Sequence, residues 1–118
     1  MDYSQLSDFE INKRVAICIG FSPDECDIAK RGTSLVGVEW NENTGYATKA
    51  VDYCNNPADA WPIITGSKIN IEWHEWKCGE FKPYALSNEA MKSCYDNNPL
   101  RAAMIVFLMM QDKANANS

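Results

Sequence analysis

Residues 98–112, NPLRAAMIVFLMMQD, constrain this chain more than any other stretch. Asn98 can cap a helix and Pro99 suits its first position, where no donor is needed, so the spacing predicts a helix from Pro99 to about Asp112. Leu100, Ala103, Met104 and Phe107 make one apolar stripe, and Ala102, Ile105, Val106, Met109 and Met110 make a second. A helix apolar on nearly every side needs cover beyond a single sheet face, from another helix or a second subunit. Its core AAMIVFLMM, nine residues long, would rise about 14 Å, half a bilayer core, so a core segment is expected and not a membrane anchor. The polar tail 113–118, KANANS, is expected to fray.

The same start signal occurs earlier, because YCNNPADA at 53–60 returns as YDNNPLRA at 95–102. Asn56 can cap, Pro57 can open the helix, and Asp59 places negative charge in the first turn. Pro62 is expected to end this helix after little more than a turn. The likeness stops at once, with Trp61-Pro62 facing Ala103-Met104, so the echo reads as two helix starts solved by one cap rather than a tandem unit. The alternative is that Asn55 and Asn97 present paired amides on one surface.

Elsewhere the signals are local. Ser7 and Glu10 are spaced as a capping box, Ile11, Val15, Cys18 and Ile19 share a helical face, and Gly20 offers a stop, predicting a helix over 8–19. Residues 21–34 read as a loop. SLVGVEW and GYATKAVDY around NENTG predict a hairpin, and PIITGSKINIEW predicts a second hairpin turning at TGSK. In its last strand Ile69, Ile71 and Trp73 fall on one face, with Trp73 expected in the core, and Asn70, Glu72, His74 and Trp76 on the other. In 77–97 only Ser87 suggests a cap, for a short turn through Ala90 and Met91.

A chain of 118 residues suits one domain, 1–118. The net charge of −5 and the lack of a Lys/Arg stripe argue against direct nucleic-acid binding, and the carboxylates are too scattered for DNA mimicry. The polar start MDYSQLSDFEINK holds no hydrophobic leader, and five cysteines form an odd set, so free thiols in the cytoplasm are expected. The glycines are dispersed, without phosphate-loop or dinucleotide spacing. His74 is the only histidine, and with no C-x-x-C pair neither a metal site nor a cofactor is expected. Paired carboxylates such as Glu72 and Glu75 fit solvated faces, and no catalytic residue is assigned. The least ordinary composition is IEWHEWK, two tryptophans around the histidine, where Trp76 can serve as an anchor for a partner.

At DYCNNPADAWPII and NPLRAAMIVFLMMQ, and at the opening DYSQLSDFEINKRVA, the chain resembles the NinX family, small proteins of unknown function from the nin region of lambdoid phages and related prophages of enteric bacteria. The order of elements also resembles small phage proteins built as α-β-α sandwiches. The resemblance implies a sheet with helices on both faces and brings no catalytic residues. From the residues themselves the expectation is an α+β domain, a mainly antiparallel sheet with the N-terminal and C-terminal helices packed on it. Two function classes follow. One is a non-enzymatic accessory protein acting through protein contacts in the bacterial host, with Tyr53, Asn55, Trp61, Trp76 and Arg101 as its surface. The other is a small hydrolase-like enzyme using His74. The sandwich leaves one stripe of the C-terminal helix uncovered, so a homodimer through that helix is expected.

Overall fold

In a computed structural model, which describes residues 1–116, a 3-10 turn (Tyr3–Gln5) leads into α1 (Asp8–Cys18). The capping signal at Ser7 is realised: its Oγ accepts from the Glu10 N–H at 3.1 Å and meets the Glu10 carboxylate at 3.4 Å. Gly20, at φ 117°, takes the left-handed position at the other end. There the Phe21 N–H donates to the Ala16 carbonyl at 3.0 Å and the Gly20 N–H to that of Ile17 at 3.1 Å, satisfying two end carbonyls. The buried face is Ile11, Asn12, Val15 and Ala16. Cys18 and Ile19, expected on it, are exposed.

The first sheet runs β1-β2-β3 and is antiparallel: β1 (Asp27–Ile28), β2 (Val36–Trp40) and β3 (Ala47–Val51). The predicted NENTG turn joins β2 to β3, with the Asn41 side chain accepting from the N–H groups of Asn43 and Thr44 at 2.8 and 3.1 Å. The stretch 21–34 read as a loop contributes β1 and is pinned by the Trp40 indole, whose Nε1 donates to the Glu25 carbonyl at 2.6 Å. That indole lies where a side chain at Gly37 would be, so the position excludes a Cβ.

The second hairpin is not formed as predicted. PIITG is helical, and α2 runs Pro57–Gly66 straight through Pro62. Pro62 removes one bond, to the carbonyl of Ala58 in an exposed first turn, where water can replace it. TGSK is the end of this helix: Lys68 sits at φ 54°, and the Ile69 N–H returns to the Ile64 carbonyl at 3.0 Å.

The second sheet, order β4-β5-β6, is also antiparallel: β4 (Asn70–Glu75), β5 (Phe81–Ser87) and β6 (Lys92–Tyr95). Pro83 is tolerated in the central strand because β6 ends just before its position. No donor is needed there, and the Pro83 carbonyl still accepts from Asp96 N–H at 3.3 Å. Ser87 accepts from the Ala90 N–H at 3.1 Å, but the segment it caps is a turn between strands and not a helix.

Helix α3 (Pro99–Ala116) continues a turn beyond the predicted Asp112, and residues 117–118 of the expected frayed tail lie outside the described residues. Ala102 to Leu108 are all buried. The cover comes from one chain: α1, α2, β5 and β6 all pack on α3. The α+β class with antiparallel sheets and flanking helices is as expected, but there are two sheets, and α1 lies directly on α3 instead of across a sheet from it. Residues of both stripes are therefore buried within one chain, which does not require a second subunit to cover them, while Met109 and Met110 stay half-buried.

Both NNP caps are present. Asn56 accepts from the Ala58 N–H at 3.0 Å, and Asn98 from the N–H groups of Leu100 and Arg101 at 2.9 and 3.2 Å. The segments also touch: Asn98 Nδ2 donates to the Cys54 carbonyl at 2.7 Å and to Asn55 Oδ1 at 3.1 Å. Asn55 therefore pairs with Asn98, where Asn97 was the expected partner. Because Asn98 both caps and bridges, Asn98→Ala should cost about 2 kcal/mol, roughly half for the cap and half for the stranded Cys54 carbonyl. Asn98→Ser should recover about 1 kcal/mol by restoring a cap acceptor. Urea midpoints of the parent and the two variants check this: equal midpoints for Asn98→Ala and Asn98→Ser would remove the capping share, and a parent-like midpoint for Asn98→Ser would remove the bridging share.

Candidate functional site

Alternation along β5 separates the two faces of the second sheet. Pro83, Ala85 and Ser87 are buried on the face that receives α3, while Lys82, Tyr84 and Leu86 turn to the other. The register sets Tyr84 between Glu72 and Tyr95, and His74 opposite Lys82. Four rings thus gather on the face away from α3. His74 stacks on Tyr84 with centroids 4.7 Å apart and meets Tyr95 edge-on at 5.4 Å. Tyr84 and Tyr95 lie 4.4 Å apart, and Trp76 closes on Tyr95 at 5.6 Å. Lys82 Nζ sits 4.8 Å from the Trp76 ring centroid, within cation–π range.

Both imidazole nitrogens are engaged, Nδ1 with the Tyr95 hydroxyl at 2.6 Å and Nε2 with the Glu72 carboxylate at 2.8 Å. This Glu72–His74–Tyr95 chain holds the rings in one arrangement. Sequence alternation placed Glu72, His74 and Trp76 together, as found. Trp73, expected in the core, is 58% exposed. Tyr84 and Tyr95 went unassigned. The alternating pattern of FKPYALS is the signal for Tyr84, whereas Tyr95 enters only through strand pairing.

Of the five residues predicted as a surface, two meet in a polar junction at the start of α3. Arg101, with a side chain 13% exposed, donates from Nη1 to Asp8 at 2.7 Å, from Nε to Asp96 at 3.1 Å, and from Nη2 to the Ser4 and Leu6 carbonyls at 3.0 and 2.8 Å. Burial works against its charge, but the bond to Asp8 and the charge of Asp96 outweigh it and raise its pKa above the ordinary arginine value. Asn55 Nδ2 lies 3.1 Å from the same Asp8 carboxylate and 3.1 Å from that of Asp52. Beneath them the fully buried Asn12 donates to Asp52 at 2.7 Å and to the Ser34 carbonyl at 2.9 Å, and accepts from the Cys54 N–H at 3.0 Å. Each polar group is bonded to another, so the junction ties α1, the end of β3 and α3 together.

The other three residues fall elsewhere. Tyr53, expected at the surface, is 3% exposed, because the chain entering α2 turns it into the core. Trp61 stands 61% exposed on α2. Trp76 joins the aromatic face. All five cysteines are free, with Cys26 and Cys54 buried, and burial pushes the Cys54 thiol far up. Among the described residues no group of three or more His, Cys, Asp or Glu is placed to hold a metal ion, and no helix is long and apolar enough to cross a membrane.

Comparison with known proteins gives one family. The family model described as Bacteriophage P22, NinX matches residues 2–111. Neither the curated proteins nor the solved structures contain a match. The matched span takes in the aromatic face, the Arg101 junction and most of α3, and on that extent the chain belongs to the bacteriophage P22 NinX family.

Proposed function

We propose that this phage protein is a non-enzymatic accessory protein that works in the bacterial host cytoplasm by binding another protein, with the outer face of the β4-β5-β6 sheet as its contact surface. The observation that carries this reading is the interlocked cluster of His74, Trp76, Tyr84 and Tyr95 on an open sheet face, with Trp76 46% exposed. Rings already held by mutual contact lose little freedom on binding, and Trp and Tyr are the side chains that most often carry interface energy. Arg101 is mostly covered in the junction at the start of α3, and Asn55 stays exposed beside it with its amide bonded to Asp8, Asp52 and Asn98.

The Glu72–His74–Tyr95 chain favours a second reading, a hydrolase in which His74 activates the Tyr95 hydroxyl. Affinity capture of tagged protein from phage-infected host lysate separates the two. A specific co-purifying protein should disappear with Trp76→Ala and persist with His74→Gln, which keeps a polar side chain at the centre of the face. A captured protein unaffected by Trp76→Ala would refute the aromatic face as the contact surface. Ester hydrolysis abolished by both His74→Gln and Tyr95→Phe would establish the second reading.

A further inference from the structure

The four edge strands of the two sheets differ in how they are protected. β1 has 2 residues, β3 pairs with register shifts and carries Lys49, and β6 has 4 residues and begins at Lys92. β4 has 6 residues in unbroken register with β5 and contains no Lys, Pro or Gly. Short length, bulges, lysine and proline are among the usual guards of an open edge, and β4 lacks these four, its only charged side chains being Glu72 and Glu75 and its one titratable ring His74.

Its backbone polarity follows from Pro83. The Pro83 carbonyl points to Asp96 on the β6 side, so Trp73, opposite Pro83, turns its own N–H and C=O away from β5. Ile71 and Glu75 share that parity. The unguarded edge therefore offers three consecutive hydrogen-bonding residues, Ile71, Trp73 and Glu75. Exposed apolar surface borders it: Trp73, Phe81 at 60% exposure, and a groove of about 590 Å³ lined in part by Trp61, Lys68, Asn70 and Ile71.

We infer that this edge pairs with the same edge of a second copy, antiparallel about a two-fold axis at Trp73, joining the two β4-β5-β6 sheets into one. Opposed residues in such a pair must share a face, which limits the registers. Centring on Glu72 sets that carboxylate against its own copy. Centring on His74 leaves Ile71 without a partner among the three edge residues. Centring on Trp73 sets Ile71 against the second copy's Glu75 and Trp73 against Trp73, all hydrogen-bonded positions. It also sets Glu72 against His74 in the closer, non-hydrogen-bonded positions, a carboxylate facing an imidazole. The same register carries the second copy's Trp76 and Lys77 to the mouth of the groove beside Trp61. The edge shares Glu72 and His74 with the aromatic face but offers main-chain groups where that face offers rings, so amide protection of Ile71, Trp73 and Glu75 reads this inference and loss of a captured protein with Trp76→Ala reads the other.

Light scattering on a sizing column and hydrogen exchange of the full chain test this together. At tens of micromolar the mass should be about twice 13.3 kDa, with the Ile71, Trp73 and Glu75 amides protected, and dilution should lose the mass and the protection together. Glu75→Pro blocks an outward N–H without touching the ladder to β5, and by removing two symmetric interchain bonds should raise the dissociation constant about thirtyfold. Trp73→Lys guards the edge in a different way and should also yield monomer. A monomeric parent at the highest attainable concentration overturns the inference. So does a dimer in which those three amides exchange freely. Protection appearing only when infected-cell lysate is added would assign the edge to a foreign strand and overturn the second-copy assignment.

Discussion

Arg101→Ala should lower the unfolding free energy by about 3 kcal/mol, because it strands two partly buried carboxylates, Asp8 and Asp96, that have no other ion-pair partner among the described residues. Asp8 is one-third exposed, which keeps the expectation at the low end of the range of about 3–5 kcal/mol for breaking a buried pair. Arg101→Lys should recover only part of the loss, since one ammonium cannot reach both carboxylates and the Ser4 and Leu6 carbonyls as the guanidinium does. Against a total stability of order 5–15 kcal/mol, the alanine variant should unfold at a visibly lower urea concentration. An unchanged midpoint would mean the junction contributes nothing to holding α1 on α3.

Alkaline pH should weaken the fold nearly as much. Burial, then the hydrogen bond to Asp112, pushes the Tyr3 hydroxyl up from 10.0 to about 12. Burial, then the nearby Asp59, does the same for Tyr53, from 10.0 to about 12. A raised folded pKa means that the unfolded chain releases its proton first. The stabilisation is complete below pH 10 and is lost as pH climbs toward 12, by about 1–2 kcal/mol for each tyrosine once solvent screening is allowed for. The buried Cys54 thiol, raised by burial and then Asp8, adds to the loss in the same direction from its ordinary value of 9.0 upward. Urea midpoints measured from pH 8 to pH 12 should fall steeply above about pH 10, and Tyr53→Phe should flatten the fall. A flat profile in the parent would show that neither hydroxyl is held neutral by the fold.

What the sequence revealed was local chemistry. Ser7, Gly20, Asn56-Pro57, Asn98-Pro99 and the NENTG turn each act within a few residues, and each does in the structure what its type predicts. The misreadings arose where a local sign has two meanings. Pro62 reads as a stop but sits early enough in α2 to cost one solvent-facing bond. TGSK reads as a hairpin turn, yet the left-handed residue is Lys68 and the turn ends a helix. Pro83 hid a central strand because only the length of β6 makes it harmless. Positions that depend on distant partners were not readable at all. Alternation put Trp73 opposite His74 correctly, but the limited reach of α3 along β4 decides that Trp73 is exposed. The candidate site divides the same way: His74 and Trp76 were legible as neighbours on a strand, while Tyr84 and Tyr95 required the register of β5 against β4 and β6.

The burial of α3 by α1, α2 and the second sheet also sets an order on biosynthesis. α1, α2, β4, β5 and β6 all pack on α3, which the ribosome adds after them, and the Tyr3–Asp112 and Arg101–Leu6 links join segments separated by 109 and 95 positions. The nascent chain therefore has no complete core to fold around until residues 99–110 emerge, and its folding belongs to the moments after translation has passed them, as a single late closure and not element by element.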